Sequence, residues 1–179
     1  MLILLVPNNK FKKEEETKGV LKMRVKENQE LIIKNVLSFR GKVTQQQMQE
    51  EMMKIGQVFK DLGVRKNGSV TTATYAVEQV ANEQAMDIEI LIPMDRKIKL
   101  PNEYTFKPII KIVNALCIRH KGHPGGLQDT INRLNSYILE HKKQVITATY
   151  NVTVKDAMSQ EELNDMIIDV YVGCSSCIV

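Results

Sequence analysis

The stretch VTTATYAVE at residues 70–78 returns as VITATYNVT at residues 145–153, 75 residues further on. So short an echo alone could be accidental, but the segments around it recur in the same order. From Leu31 to Arg40, LIIKNVLSFR is rich in β-branched and apolar residues with partial alternation, which predicts a strand. In VTQQQMQEEMMKIGQVFKDLGV, Met48, Met52, Ile55, Phe59 and Leu62 keep the spacing of one helical face. Thr44 with Gln47 has the form of a capping box, and Val43 with Met48 that of a hydrophobic staple. Gly63 followed by Val64 supplies the stop. Then come the TATY strand and MDIEILIPM, whose alternation puts Ile88, Ile90 and Ile92 on one face.

The second half gives strand-like IIKIVNALCIRH, a helix with Leu127, Ile131, Leu134 and Ile138 on one face, the TATY strand again, and MIIDVYVGC. This last segment aligns with MDIEILIPM at a spacing of 80, Glu89 on Asp169 and Ile90 on Val170. Repetition of the whole unit carries more weight than any motif in it. The predicted fold is α+β: a tandem β-α-β-β duplication forming a curved antiparallel sheet with two helices on its outer face. Repeat 1 spans about residues 31–94 and repeat 2 about 106–174. One copy alone buries too little to be stable, so two copies are expected to pair edges and share one core.

Residues 31–179 are taken as a single domain. Residues 1–30 are set apart as an extension without settled order, of which 1–22 are either an appendage or foreign to the natural chain. The opening MLILLV is too short, and lacks the preceding basic segment, to be a secretory leader. No run approaches the ~18 apolar residues of a membrane span. The net charge of +4 is spread among interspersed Lys and Glu, so no nucleic-acid surface is implied. Three cysteines form no disulfide framework, and a cytoplasmic location is expected.

The segment RHKGHPGGLQDTINRL, with RHKG (119–122) at a strand end running directly into an amphipathic helix and a hairpin downstream, resembles the gyrase-inhibitor-like small-molecule-binding domains. These are the effector-binding domains of AraC-type and MerR-type regulators, related in fold to SOUL haem-binding proteins. The resemblance spans residues 31–174. It implies non-catalytic binding of a small hydrophobic or cationic molecule in a cleft between two pseudo-symmetric repeats, held by aromatic rings and a buried acid. Many such domains place that acid two residues before the aromatic of the second TATY-like strand, where this chain has Ala148. Glu89 and Asp169 on neighbouring strands are the substitutes.

Strand parity agrees in part. If Ile88, Ile90 and Ile92 face the helices, Glu89 and Leu91 face the other way, as do Asp169 and Tyr171. The candidate ligand-binding residues are therefore Tyr75, Glu89, Tyr150, Asp169 and Tyr171. The TATY tyrosines are open to either reading, hollow or helix-facing core. No DNA-reading module fits the remaining residues, and no cofactor is expected. His120 and His123 lack a third metal ligand and read as a strand-to-helix turn. Cys117 has no acid–base partner for catalysis. The Cys174/Cys177 pair reads as an incidental tail. Two other roles stand beside ligand binding. Stand-alone chains of this type resemble a group encoded beside type VII-secreted toxins, which would make a protein partner the point. Some relatives of the fold hydrolyse small molecules.

Overall fold

In the computed structural model, which describes residues 24–80 and 83–175, the two longest strands each carry an asparagine in the left-handed region, Asn35 at φ 50° and Asn114 at φ 53°. Asparagine tolerates that conformation better than other side chains with a Cβ. The consequence is a change of facing within one strand. Ile33 and Val36, three residues apart, join the same buried cluster, and so do Ile112 and Ala115; plain alternation would send each pair to opposite faces.

The elements in order are β1 (Lys26–Val43), α1 (Gln45–Asp61), β2 (Thr71–Val80), β3 (Glu83–Pro93), β4 (Thr105–Lys121), α2 (Leu127–Glu140), β5 (Val145–Lys155) and β6 (Ile167–Cys174). The chain is α+β, and strand, helix, strand, strand occurs twice. β1 starts at Lys26, so residues 26–30, expected in the N-terminal extension, belong to the sheet. The remaining part of that extension, residues 1–23, lies outside the described residues, as does Cys177. All pairings are antiparallel, and the expected curved sheet closes on itself as a barrel in the order β1-β3-β2-β5-β6-β4.

α1 lies over β1 and β3, and α2 over β4 and β6. Ile55 of α1 packs with Leu37, Ile88, Ile90 and Ile92; Leu134 of α2 packs with Leu116, Ile118, Ile168, Val170 and Val172. The barrel interior is lined by a third cluster, Leu31, Ile33, Val36, Leu91, Ile112, Ala115 and Val152, with Tyr150 and Tyr171 against it.

The start of α1 follows its sequence signals. The Thr44 hydroxyl accepts the Gln47 N–H at 3.3 Å, and the Gln47 side chain accepts the Thr44 N–H at 2.9 Å. At the far end Gly63 (φ 59°) donates to Lys60 and Val64 to Phe59, a Schellman close. α2 ends the same way, with Lys142 at φ 49° in place of glycine and Lys143 donating to Ile138. Thr44→Ala is expected to cost about 1 kcal/mol through loss of the cap, read as a lower midpoint with an unchanged slope in urea unfolding.

The two TATY stretches are direct neighbours. β2 meets β5 through Thr71–Thr74 against Val152–Thr149. Yet they are not corresponding positions of their hairpins. Thr71 stands opposite Leu91, while Tyr150 stands opposite Tyr171. The irregularity between Thr74 and Ala76 is matched by one between Thr153 and Lys155. A spacing of 79 therefore relates β2 to β5, not the 75 of the echo. The same 79 carries Asn35 onto Asn114, Glu51 onto Thr130 and Ile55 onto Leu134, each pair alike in backbone or burial.

Candidate functional site

Glu89 and Asp169 are acids set inside apolar strands, at 4% and 6% exposure. Burying a carboxylate costs several kcal/mol unless it is paired, so their partners decide what each can do. Both lie on the face their alternation requires, with Leu91 and Tyr171 toward the barrel interior and the isoleucines toward α1.

Glu89 sits mid-way along β3, opposite Arg40 of β1 on one side and Ala73 of β2 on the other. Its Oε1 accepts the Ser38 hydroxyl and the Lys107 ammonium, and its Oε2 accepts the Tyr75 hydroxyl at 3.0 Å. Burial pushes its pKa upward, but the hydrogen bonds from Lys107 and Ser38 outweigh that and hold the carboxyl below the usual range. Tyr75 is pushed up to about 12 by burial and by the Glu89 carboxylate. Its ring carries the Arg40 guanidinium, whose central carbon is 3.3 Å from the ring centroid. Ser38, Arg40, Tyr75, Glu89, Glu103, Thr105 and Lys107 together line a cavity of about 350 Å³.

Asp169 has a different environment. Arg119, directly opposite on β4, grips it with both ends of the guanidinium, Nε to Oδ1 and Nη2 to Oδ2, each at 2.6 Å. The bidentate contact holds the Arg119 pKa above its ordinary value, chiefly through the hydrogen bonds to Asp169. Tyr171 stands opposite Cys117 on one side and Tyr150 on the other. Burial raises the Tyr171 pKa to about 12 and also raises that of the Cys117 thiol, so neither is a ready nucleophile or base.

Of the five residues read from the sequence, Tyr75 and Glu89 meet at one cavity. Tyr150 and Tyr171 pack on the interior cluster, and Asp169 belongs to its own ion pair. Along the midline, where a hollow was expected, Leu31, Ile33, Leu91, Ile112 and Val152 pack as one cluster with the two tyrosine rings against it, and Leu31, Ile33 and Val152 of that cluster also line a cavity of about 470 Å³ with Thr71 and Pro93. Ser38, Arg40, Lys107 and Glu103 of the Glu89 cavity were not singled out by sequence reasoning, because nothing local marks a residue whose importance comes from strand register.

His120 proves to be a core residue. Its Nδ1 pairs with the Thr130 hydroxyl at 2.8 Å and its Nε2 with the His123 carbonyl at 3.0 Å, while His123 Nδ1 accepts the Gly125 N–H. Among the described residues no three His, Cys, Asp or Glu side chains converge as a metal site would need. No helix among them is long and apolar enough to cross a membrane. A larger groove of about 1010 Å³ runs along the surface between Arg24–Glu27 and the Arg133–Glu140 side of α2. It contains none of the five candidates.

No family model matches the chain, and no curated protein does. Solved structures do. The chain is similar to EcmrR in an EcmrR–DNA complex (TM-score 0.70, 16% identity), covering 94% of its own length and 63% of that chain. The isolated EcmrR C-terminal domain gives a TM-score of 0.66 at 16% identity, with 86% of this chain and 97% of that one covered. An uncharacterized conserved protein from Listeria innocua gives 0.56 at 11% identity, with 92% and 98% covered. The chain spans under two thirds of the EcmrR chain bound to DNA and nearly all of its C-terminal domain. At these identities what is shared is the fold, six antiparallel strands and two helices in the arrangement of the EcmrR C-terminal domain.

Proposed function

We propose that the protein binds a small organic cation in the cavity walled by Glu89 and Tyr75, without catalysis. The observation that carries this reading is Glu89 itself: a buried carboxylate on a cavity wall, beside a tyrosine ring, where water cannot fully solvate the charge. Within the cavity Glu89 and Glu103 face only one cation not already engaged outside it, Lys107, since Arg40 is paired with Asp87. The balance is negative and suits a positive guest. A ligand ammonium would take the place of Lys107, whose side chain is 38% exposed and free to swing into water. The resemblance to gyrase-inhibitor-like domains and the fold shared with the EcmrR C-terminal domain point the same way.

The fold is read as a duplication in this proposal, one domain of two β-α-β-β copies related by 79 residues through β5 and 80 in β6. The matching left-handed asparagines and matching strand irregularities support it. The copies have diverged at their acids: the first is held by Lys107, Ser38 and Tyr75 on a cavity wall, the second by the two-pronged grip of Arg119.

The test is a thermal-shift and calorimetric titration with aromatic quaternary ammonium compounds, benzyltrimethylammonium first. A ligand at 100 times its Kd should stabilise the protein by about 2.7 kcal/mol, and Glu89→Gln should remove the effect while leaving the fold intact. If the wild type and Glu89→Gln respond alike to every cation tried, this cavity is not the site.

A further inference from the structure

The two acids share one local geometry but take different cations, Glu89 the Lys107 ammonium and Asp169 the Arg119 guanidinium. Arg40 stands directly opposite Glu89, and Arg119 directly opposite Asp169. Oppositely charged side chains so placed across antiparallel strands attract, and arginine prefers a two-pronged grip on a carboxylate. Arg119 does what that rule requires. Arg40 does not: it turns two residues along β3 and grips Asp87 instead, Nε to Oδ1 at 2.9 Å and Nη2 to Oδ2 at 2.8 Å, with its guanidinium laid on the Tyr75 ring.

What the second hairpin lacks is the means of diversion. The residue paired with Ala76 across the first hairpin irregularity is Asp87; the residue paired with Lys155 across the matching irregularity is Ile167. No acid there competes for Arg119. The ring is missing too, for the position that corresponds to Tyr75 is Val154.

We propose that Asp87 is a positioning residue that sets the specificity of the site: by holding Arg40 on the diagonal, against Tyr75, it keeps Glu89 from being closed by its own arginine. This rests on the cation-binding reading for its purpose, but the hold of Asp87 on Arg40 is a property of the unliganded protein and is measurable alone. One end of the barrel is thereby kept receptive to a cation while the other is sealed by Arg119–Asp169. The Arg40–Asp87 pair is itself well exposed, 41% and 35% for the two side chains, so it adds little to stability. Its weight lies in which carboxylate the arginine occupies.

The experiment compares wild type, Asp87→Asn, Asp87→Glu and the double variant Asp87→Asn/Arg40→Gln. In NMR of the unliganded wild type, the Arg40 side-chain protons should be shifted upfield by the Tyr75 ring beneath them. In Asp87→Asn that shift disappears as the guanidinium crosses to Glu89, and Asp87→Glu retains it. Calorimetry with benzyltrimethylammonium follows. If Arg40 closes Glu89 in nine of ten molecules, the affinity falls about tenfold. The double variant, having no arginine to close the site, binds more tightly than Asp87→Asn alone. A purely structural role for Asp87 would not be reversed by removing a second side chain. The inference is overturned if Arg40 stays shielded by Tyr75 in Asp87→Asn, or if the double variant binds as poorly as the single one. Should the NMR change as expected while no cation binds the wild type, the hold of Asp87 on Arg40 stands and the cation reading falls.

Discussion

Ile55→Ala is expected to lower stability by about 2–5 kcal/mol, the range for removing most of a buried branched side chain without refilling the space. Ile55 is 1% exposed and is the central contact between α1 and the sheet, packed among Leu37, Ile88, Ile90, Ile92 and Met94. Its surroundings have little freedom to collapse. One turn earlier Glu51 is held by the Tyr104 hydroxyl at 2.8 Å, which pins the helix at its height above the strands. In a chain of this size each kcal/mol moves Tm by about 2–4 °C, so a fall of roughly 4–20 °C follows. Met53 lies two residues away on the same helix at 69% exposure; Met53→Ala should change stability by no more than about 0.5 kcal/mol. Thermal and urea unfolding of both variants measures the contrast. Equal effects would mean that α1 does not dock through this face.

Cation affinity should hold steady from neutral pH down through the range where ordinary carboxylates protonate, then collapse. The Glu89 carboxyl is held below its usual 4.5: burial favours the neutral form, but the Lys107 and Ser38 hydrogen bonds favour the charged form more strongly. Lower folded pKa means that Glu89 keeps its charge, and the site its attraction, after exposed glutamates have lost theirs near 4.3. Below the folded value, affinity drops by as much as about tenfold per pH unit, because each binding event must first release a proton. The same shift acts on folding. Glu89's contribution to stability is complete above the unfolded-state pKa and is lost as pH falls through the folded one. Calorimetric titration at pH 7, 5 and 3.5 tests this, with Glu89→Gln as the variant whose residual binding has no such profile. Loss of affinity already complete at pH 5 would show that another, ordinary group carries the charge that the ligand needs.

The helices and their ends were readable because helical signals are local. Thr44, Gln47, Gly63 and Val64 lie within a turn of the backbone groups they satisfy. Strand facing was readable for Ile88, Ile90 and Ile92, and with it the inward direction of Glu89. Register was not. A strand has a period of two, so a slip of four residues leaves every side chain on its own face, and the TATY echo at 75 fits the pattern as well as the 79 at which strand partners match. The better anchors were less conspicuous: N-x-L-x-x-R recurs from Asn35 to Arg40 and from Asn114 to Arg119, with both asparagines in the left-handed conformation. The cavity was half legible for the same reason. Glu89 and Tyr75 declare themselves as an acid and a ring in apolar strands, but Lys107 and Ser38 become neighbours only once β1, β3 and β4 are laid side by side.

The two joins between the halves of the barrel differ in length. β1 and β4 pair from Lys26–Cys117 to Ser38–Thr105, while β2 and β5 meet only over Thr71–Thr74 and Thr149–Val152. Opening the short join breaks few backbone hydrogen bonds, so the cylinder breathes there first and amide hydrogens of those residues exchange ahead of the β1–β4 ladder. Tyr75 is the next residue beyond that join. The weaker of the two joins thus adjoins the cavity wall, and its opening would leave both helix-covered halves folded.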